Sequence, residues 1–176
     1  GLDIFTSGPS FSTGTAVGDV NGDGLGDVLV ANGNTGFGYV VLGSLSPPTS
    51  IDVSTLNGTN GFKTMTTGWS GVANQLVFTG VDINGDGYSD IISKTNSSIL
   101  GKAYVSVILG HATPFTATVD TSTLVPGTGF HIYNSSVSGY NSTGKQMASI
   151  GDINGDGYDD LAISGKASFG QATNIN

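Results

Sequence analysis

Asp152-Ile153-Asn154-Gly155-Asp156-Gly157-Tyr158-Asp159-Asp160 is the stretch on which the fold turns, because near copies of it stand at two earlier places. These are Asp19-Val20-Asn21-Gly22-Asp23-Gly24-Leu25-Gly26-Asp27 and Asp82-Ile83-Asn84-Gly85-Asp86-Gly87-Tyr88-Ser89-Asp90. Counted from the first Asp, positions 1, 5 and 9 carry carboxylates, position 3 carries an amide oxygen, and a glycine at position 6 permits a sharp turn. Calcium takes about six to eight hard oxygen ligands, drawn from side chains and backbone carbonyls. The expected ligands are Asp19, Asn21, Asp23 and Asp27; Asp82, Asn84, Asp86 and Asp90; and Asp152, Asn154, Asp156 and Asp160. The carbonyls of Leu25, Tyr88 and Tyr158, at position 7, are expected to complete the sets, for about three Ca2+ per chain.

The first six positions also open an EF-hand loop, which requires a bidentate Glu at position 12. Val30, Ser93 and Ile163 stand there, so that reading fails in all three copies. What flanks each loop is β-rich: Ala16-Val17-Gly18 and Val28-Leu29-Val30, Thr79-Gly80-Val81 and Ile91-Ile92-Ser93, Ser149-Ile150-Gly151 and Leu161-Ala162-Ile163. Each loop is therefore predicted to join two strands. Asn-Gly and Asp-Gly also make plain hairpin turns, but three copies that keep all four oxygen-bearing side chains argue for a ligand.

Charge supports this independently. All 13 acidic residues are Asp, all five basic ones are Lys, and the net charge is −8. Nine Asp belong to the loops, leaving Asp3, Asp52, Asp120 and Asp159 against the five Lys. The negative surplus thus sits in the loops, where close carboxylates repel unless a counter-ion intervenes. Three divalent ions would bring the net charge to about −2.

The pattern repeats beyond the loops. Gly36-Phe37-Gly38-Tyr39-Val40-Val41-Leu42-Gly43 matches Gly101-Lys102-Ala103-Tyr104-Val105-Ser106-Val107-Ile108-Leu109-Gly110, and both read as strands. A Pro-containing connection then leads to Ile51-Asp52-Val53-Ser54-Thr55-Leu56 or Val119-Asp120-Thr121-Ser122-Thr123-Leu124. A Gly-rich turn and a further strand follow, Gly61-Phe62-Lys63-Thr64-Met65 or Gly129-Phe130-His131-Ile132-Tyr133. Loop-to-loop spacings of 63 and 70 residues hold about four strands each, the content of a propeller blade. No stretch sustains a helical period.

These residues resemble the FG-GAP repeats of integrin α-subunit β-propellers and of many secreted proteins. The three Asp-x-Asn-x-Asp-Gly-x-x-Asp loops carry the likeness, with Gly36-Phe37-Gly38 and Ser168-Phe169-Gly170 for the Phe-Gly element. The Gly-Ala-Pro element is replaced by Ala31-Asn32-Gly33 and Ser164-Gly165. The resemblance implies calcium bound in a hairpin at one face of each blade.

The predicted fold is all-β: about three four-stranded antiparallel blades, forming an incomplete ring or an array. The chain is read as a single region, 1–176, of repeats at approximately 1–60, 61–128 and 129–176, the last completed by another segment. Leu2-Asp3-Ile4-Phe5 precedes its loop at an offset close to those of Phe62 and Phe130, so it reads as the last strand of a preceding blade. Further copies of the chain, or the rest of a longer one, are the expected partners.

Function follows the same evidence. There is no Cys, hence no disulfide or thiolate metal site. No apolar run approaches the roughly 18 residues of a membrane span. Five Lys and a pI near 4.1 argue against nucleic acid. Glu and Arg are absent, and only His111 and His131 could serve as neutral-pH bases, so no catalytic residue is expected. Sequons at Asn57, Asn96, Asn134 and Asn141 offer glycosylation sites. Extracellular calcium modules bind at about 10⁻⁴–10⁻³ M. Both points favour a secreted or cell-surface location; the start at Gly1, without Met or signal peptide, reads as a mature product or excised segment. The expected function is a calcium-stabilised structural or adhesive module, meeting another extracellular protein or glycans. The alternative is a lectin-like propeller presenting Trp69, Tyr140 or Tyr104 to a sugar.

Overall fold

The computed structural model describes residues 1–8, 10–32, 35–67, 78–97, 102–133 and 143–165. Its strands, in chain order, are β1 (Asp3–Phe5), β2 (Thr13–Gly18), β3 (Asp27–Asn32), β4 (Phe37–Val41), β5 (Ser50–Asp52), β6 (Gly61–Met65) and β7 (Phe78–Val81). There follow β8 (Asp90–Ser97), β9 (Lys102–Ile108), β10 (Thr118–Asp120), β11 (Gly129–Tyr133), β12 (Thr143–Gly151) and β13 (Asp160–Gly165).

The architecture is all-β. An antiparallel blade runs β2-β3-β4-β6, a second runs β7-β8-β9-β11, and the hairpin β12-β13 begins a third. No described sheet closes into a barrel. Each nine-residue loop spans one of the hairpins β2-β3, β7-β8 and β12-β13, as the flanking β-rich runs predicted.

The sheets divide the chain differently from the three sequence units. Gly61–Met65, placed at the head of the second unit, is the outer strand of the first blade, and Gly129–Tyr133 likewise closes the second. Antiparallel pairing with β4 and β9 puts Phe62 and Phe130 on their blade faces, and that pairing is invisible to local pattern.

The segments at Ile51–Leu56 and Val119–Leu124 need a second adjustment. Each is a three-residue strand followed by one 3₁₀ turn, Val53–Thr55 or Thr121–Thr123. These short strands join the outer strand of the unit before them, in parallel: β10 on β6, with Thr118 opposite Lys63, and β5 on β1, with Ser50 opposite Asp3. The two registers make Asp3 the counterpart of Lys63, and therefore Leu2 that of Phe62. The N-terminal strand sits as the outer strand of a preceding blade would, as the offsets predicted.

Asp52 and Asp120 explain why the short strands stop. Each caps its 3₁₀ turn, accepting from the backbone N–H of Ser54 or Ser122 at 2.9 Å. Asp120 also accepts from the Ser122 hydroxyl at 2.7 Å, the Thr67 N–H at 3.1 Å and the Thr67 hydroxyl. Burial acts to raise its pKa, but the Thr67 and Ser122 donors outweigh it and the net shift is downward. A depressed carboxylate contributes stability above the ordinary Asp pKa and loses it as pH falls through the folded value. Asp120→Ala is expected to destabilise the chain by about 1 kcal/mol at neutral pH, as caps do. The urea midpoints of the two proteins should converge on acidification.

Blades pack face to face and make three apolar layers. Val30, Val41, Val53 and Leu56 meet Ile4, Phe11, Tyr39 and Ile51 on the outer side of the first blade. Between the first two blades lie Val17, Val20, Leu29, Val40 and Phe62 against Ile91, Ile108 and Phe115. Val81, Ile92, Val105, Val107 and Met147 form the third layer. Strands β3 and β9 are apolar on both faces because each separates two such layers, which is why their sequences do not alternate.

Candidate metal centre

The three loops share one hydrogen-bond scaffold. In the first, Asp19 Oδ1 accepts from the Asp23 N–H at 3.1 Å and Asp19 Oδ2 from the Gly24 N–H at 2.7 Å. The corresponding distances are 3.1 and 2.9 Å at Asp82, and 3.1 and 2.8 Å at Asp152. The position-3 amide oxygen accepts from the position-5 N–H, at 3.2 Å for Asn21 and Asn84 and 2.9 Å for Asn154. The same Asn donates its Nδ2 to the position-5 carboxylate, at 3.0, 2.8 and 3.0 Å in chain order. Position 5 then accepts from the N–H of Leu25, Tyr88 or Tyr158, at 2.8, 3.0 and 3.0 Å. Side-chain oxygens are thereby aligned along the inside of the turn by the loop's own backbone.

Position 9 is anchored separately. Asp27 Oδ2 accepts from the Val20 N–H at 2.8 Å and Oδ1 from the Gly43 N–H at 2.7 Å; Asp90 does the same with Ile83 and Gly110 at 3.0 and 2.8 Å. Both carboxylates are buried. Burial raises the Asp27 pKa, the two N–H donors oppose it, and the charges of Asp23 and Asp19 raise it again. The same causes, burial first, carry Asp90 up to about 6. At the third loop Asp160 is only half-buried, and its Oδ2 accepts from the Ile153 N–H at 2.9 Å. Asp152, on the open side of that loop, is held below the usual range, chiefly by the Gly157 N–H.

The donor chemistry in each loop fits a hard divalent cation, three carboxylates and one amide oxygen along a single turn, and in the first two loops the like charges are near enough to act on one another. Among the described residues no three His, Cys, Asp or Glu side chains converge on a single point. In the first two loops position 9 is tied to Gly43 or Gly110 at the end of the neighbouring strand. A carboxylate oxygen that accepts one N–H keeps a second lone pair.

The loops also contact one another, which sequence reasoning missed. Glycines at position 4 as well as position 6 hold left-handed backbone, with φ of 72° and 84° at Gly22 and Gly24. A Cβ on Gly22 would lie less than 3.0 Å from the Tyr88 ring, and one on Gly85 would lie 2.9 Å from the Tyr158 ring. The position-7 tyrosine of the second and third loops therefore rests on the position-4 glycine of the loop before. At position 8, the Ser89 N–H donates to the Asp19 carbonyl at 2.8 Å and the Asp159 N–H to the Asp82 carbonyl at 3.1 Å. The recurring position-4 glycine was the available signal. The repeated Leu42-Gly43 and Leu109-Gly110 ends were the signal for the position-9 anchors.

The other predicted sites fall out as follows. Asn57 is exposed, in a turn where its Oδ1 accepts from the Thr59 N–H and hydroxyl at 3.0 and 2.7 Å. Asn96 lies in β8, its side chain outside the described residues; Asn134, Asn141, Trp69, Tyr140 and Phe169 also lie outside them. Tyr104 is buried with its ring edge-on to His131 at 4.6 Å, so it presents no face to a sugar; its place in a doubly covered strand decides this. His131 Nε2 meets the Thr121 carbonyl at 2.6 Å, and the His111 ring lies 4.0 Å from that of Phe115.

Residues 148–174 match the family model of the FG-GAP repeat. The match takes in the end of β12, the third loop and β13, and the first two loops share that loop's scaffold. No curated relative and no solved structure matches the chain.

Proposed function

We propose, from the FG-GAP repeat at 148–174, that this chain is an extracellular calcium-binding structural or adhesive module of propeller type. Each loop would hold one Ca2+ through its position-1, -3, -5 and -9 side chains and the position-7 carbonyl. The observation that carries the reading is the scaffold common to all three loops. A turn that only had to reverse the chain would not need three carboxylates, and their mutual repulsion works against the fold.

When bound, the ion supplies positive charge that offsets this repulsion and ties the two strands of each hairpin. The chain's own part is to present the oxygens in advance, through the backbone N–H groups at positions 2, 5, 6 and 7. Because position 8 and the position-7 ring reach the preceding loop, a rigid loop also holds its neighbour. Millimolar extracellular calcium suits sites of this class, and the exposed sequon at Asn57 suits a secreted chain.

Calorimetric titration with calcium is expected to show about three sites per chain, and Asp86→Ala should remove one of them. A stoichiometry that Asp86→Ala leaves unaltered, or no heat at millimolar calcium, would refute the assignment.

A further inference from the structure

The first two loops are joined twice. One join is the bond from the Ser89 N–H to the Asp19 carbonyl at 2.8 Å, beside the Tyr88 ring over Gly22. In the other, the two position-9 carboxylates, both buried, stand at the ends of one hydrogen-bonded path. Asp27 Oδ2 accepts from the Val20 N–H at 2.8 Å, and the Val20 carbonyl accepts from the His111 N–H at 3.1 Å. The residue before His111 is Gly110, whose N–H donates to Asp90 Oδ1 at 2.8 Å.

Packing holds this crossing closed. A Cβ on Gly110 would lie 2.6 Å from the Ser89 carbonyl oxygen and 2.9 Å from that of Val20. Val20 is fully buried, so its backbone bonds cannot be traded for bonds to water unless the junction opens. Whatever fixes Asp90 therefore fixes the backbone that holds Asp27, and the reverse. An empty loop keeps three like charges that push apart, and ordering it costs conformational entropy. A loop whose neighbour is already ordered has less of that cost left to meet.

We infer that the first two loops take up calcium as a coupled pair, the filling of either one ordering the other and raising its affinity. The inference rests on the calcium reading above and adds how its sites are regulated. Simple charge predicts the opposite sign. A filled loop is less negative than an empty one, so filling the second would by itself lower the attraction of the first for a cation. At about 0.15 M salt that long-range effect is screened over roughly 8 Å, whereas the bonded path is not.

The test follows the amide resonances of Gly24 and Gly87 through a calcium titration of the intact chain, because each N–H donates to the position-1 carboxylate of its own loop. Asp86→Ala should raise the calcium midpoint read at Gly24 at least about fivefold, and Asp23→Ala should raise that at Gly87 by about the same factor, since coupling is reciprocal. Both side chains are exposed, so the fold is expected to survive their loss. The empty second loop of Asp86→Ala is still more negative than a filled native one, so charge alone would move the Gly24 midpoint the other way. Hydrogen exchange supplies a second readout. In the Asp23→Ala protein, calcium should slow exchange of the Val20 N–H more than that of amides in β4, which a general gain in stability would slow as well. That arm compares one protein with itself, so damage from the substitution cannot imitate it. A Gly24 midpoint that stays or falls in Asp86→Ala overturns the inference, and so does a Val20 N–H slowed no more than those of β4. Glycine amides that titrate independently overturn this inference alone; amides indifferent to millimolar calcium overturn the calcium reading with it.

Discussion

Replacement of Gly80 by alanine is expected to cost at least about 4 kcal/mol, which for a chain of this size lowers the thermal midpoint by roughly 8–16 °C. Gly80 lies in β7, where the second blade crosses β2 of the first. A Cβ there would lie less than 3.0 Å from the carbonyl oxygen and carbon of Val17. Those are backbone atoms, so no rotamer change relieves the overlap, and the two blades must separate across the layer containing Val17, Phe62 and Ile91. Two controls isolate the cause. Gly14→Ala in β2 meets Val30 Cγ1 at an ordinary 3.5 Å and should change stability by no more than about 0.5 kcal/mol. Gly24→Ala meets nothing within 4 Å but sits at φ 84°, so about 1–2 kcal/mol of backbone strain is expected. If all three variants lose the same amount, close blade contact is not what demands glycine at position 80.

Asp90→Ala carries the second large effect. Its carboxylate is fully buried and takes the N–H groups of Ile83 and Gly110. Removing it strands two buried donors, each costing about 1–3 kcal/mol. Some of this is offset, because burial already disfavours the charged form and holds its pKa at about 6. A net loss of roughly 2–4 kcal/mol is expected, measured by urea unfolding in chelator so that no metal contributes. Asp160→Ala removes the same position of the third loop, but there the carboxylate is half-exposed, and water can satisfy the Ile153 N–H. Its loss should be about 1 kcal/mol. Equal losses at the two positions would show that burial does not set the cost.

These residues also mark what the sequence could and could not tell. The hairpins were legible because three nine-residue loops fix both the turn and the flanking strands, and Gly-Phe-Gly-Tyr-Val-Val could only be a strand. The kinship of Leu2, Phe62 and Phe130 was legible as an offset and is the register seen in the two parallel pairs. Gly80 carried no such signal. It reads like any glycine in a β-rich run, and only the approach of another blade gives it meaning. The short parallel strands were hidden for a like reason: Asp52 and Asp120 look like spare carboxylates until the 3₁₀ turns they cap are seen. At the loops, local spacing announced which side chains carry oxygen. It did not announce that Asp27 and Asp90 are moored to Gly43 and Gly110, since that bond joins residues 16 and 20 apart.

The ring that each later loop lays on the glycine before it amounts to a splicing rule. A unit duplicated within the gene would seat after its neighbour provided it brought a flat side chain at its seventh position and met a residue without Cβ at the fourth. Of the three seventh positions, Leu25 alone is not aromatic. Compatibility between neighbouring units is thus reduced to two small tokens, and an array built this way can lengthen by whole repeats while the interior of each blade stays as it was.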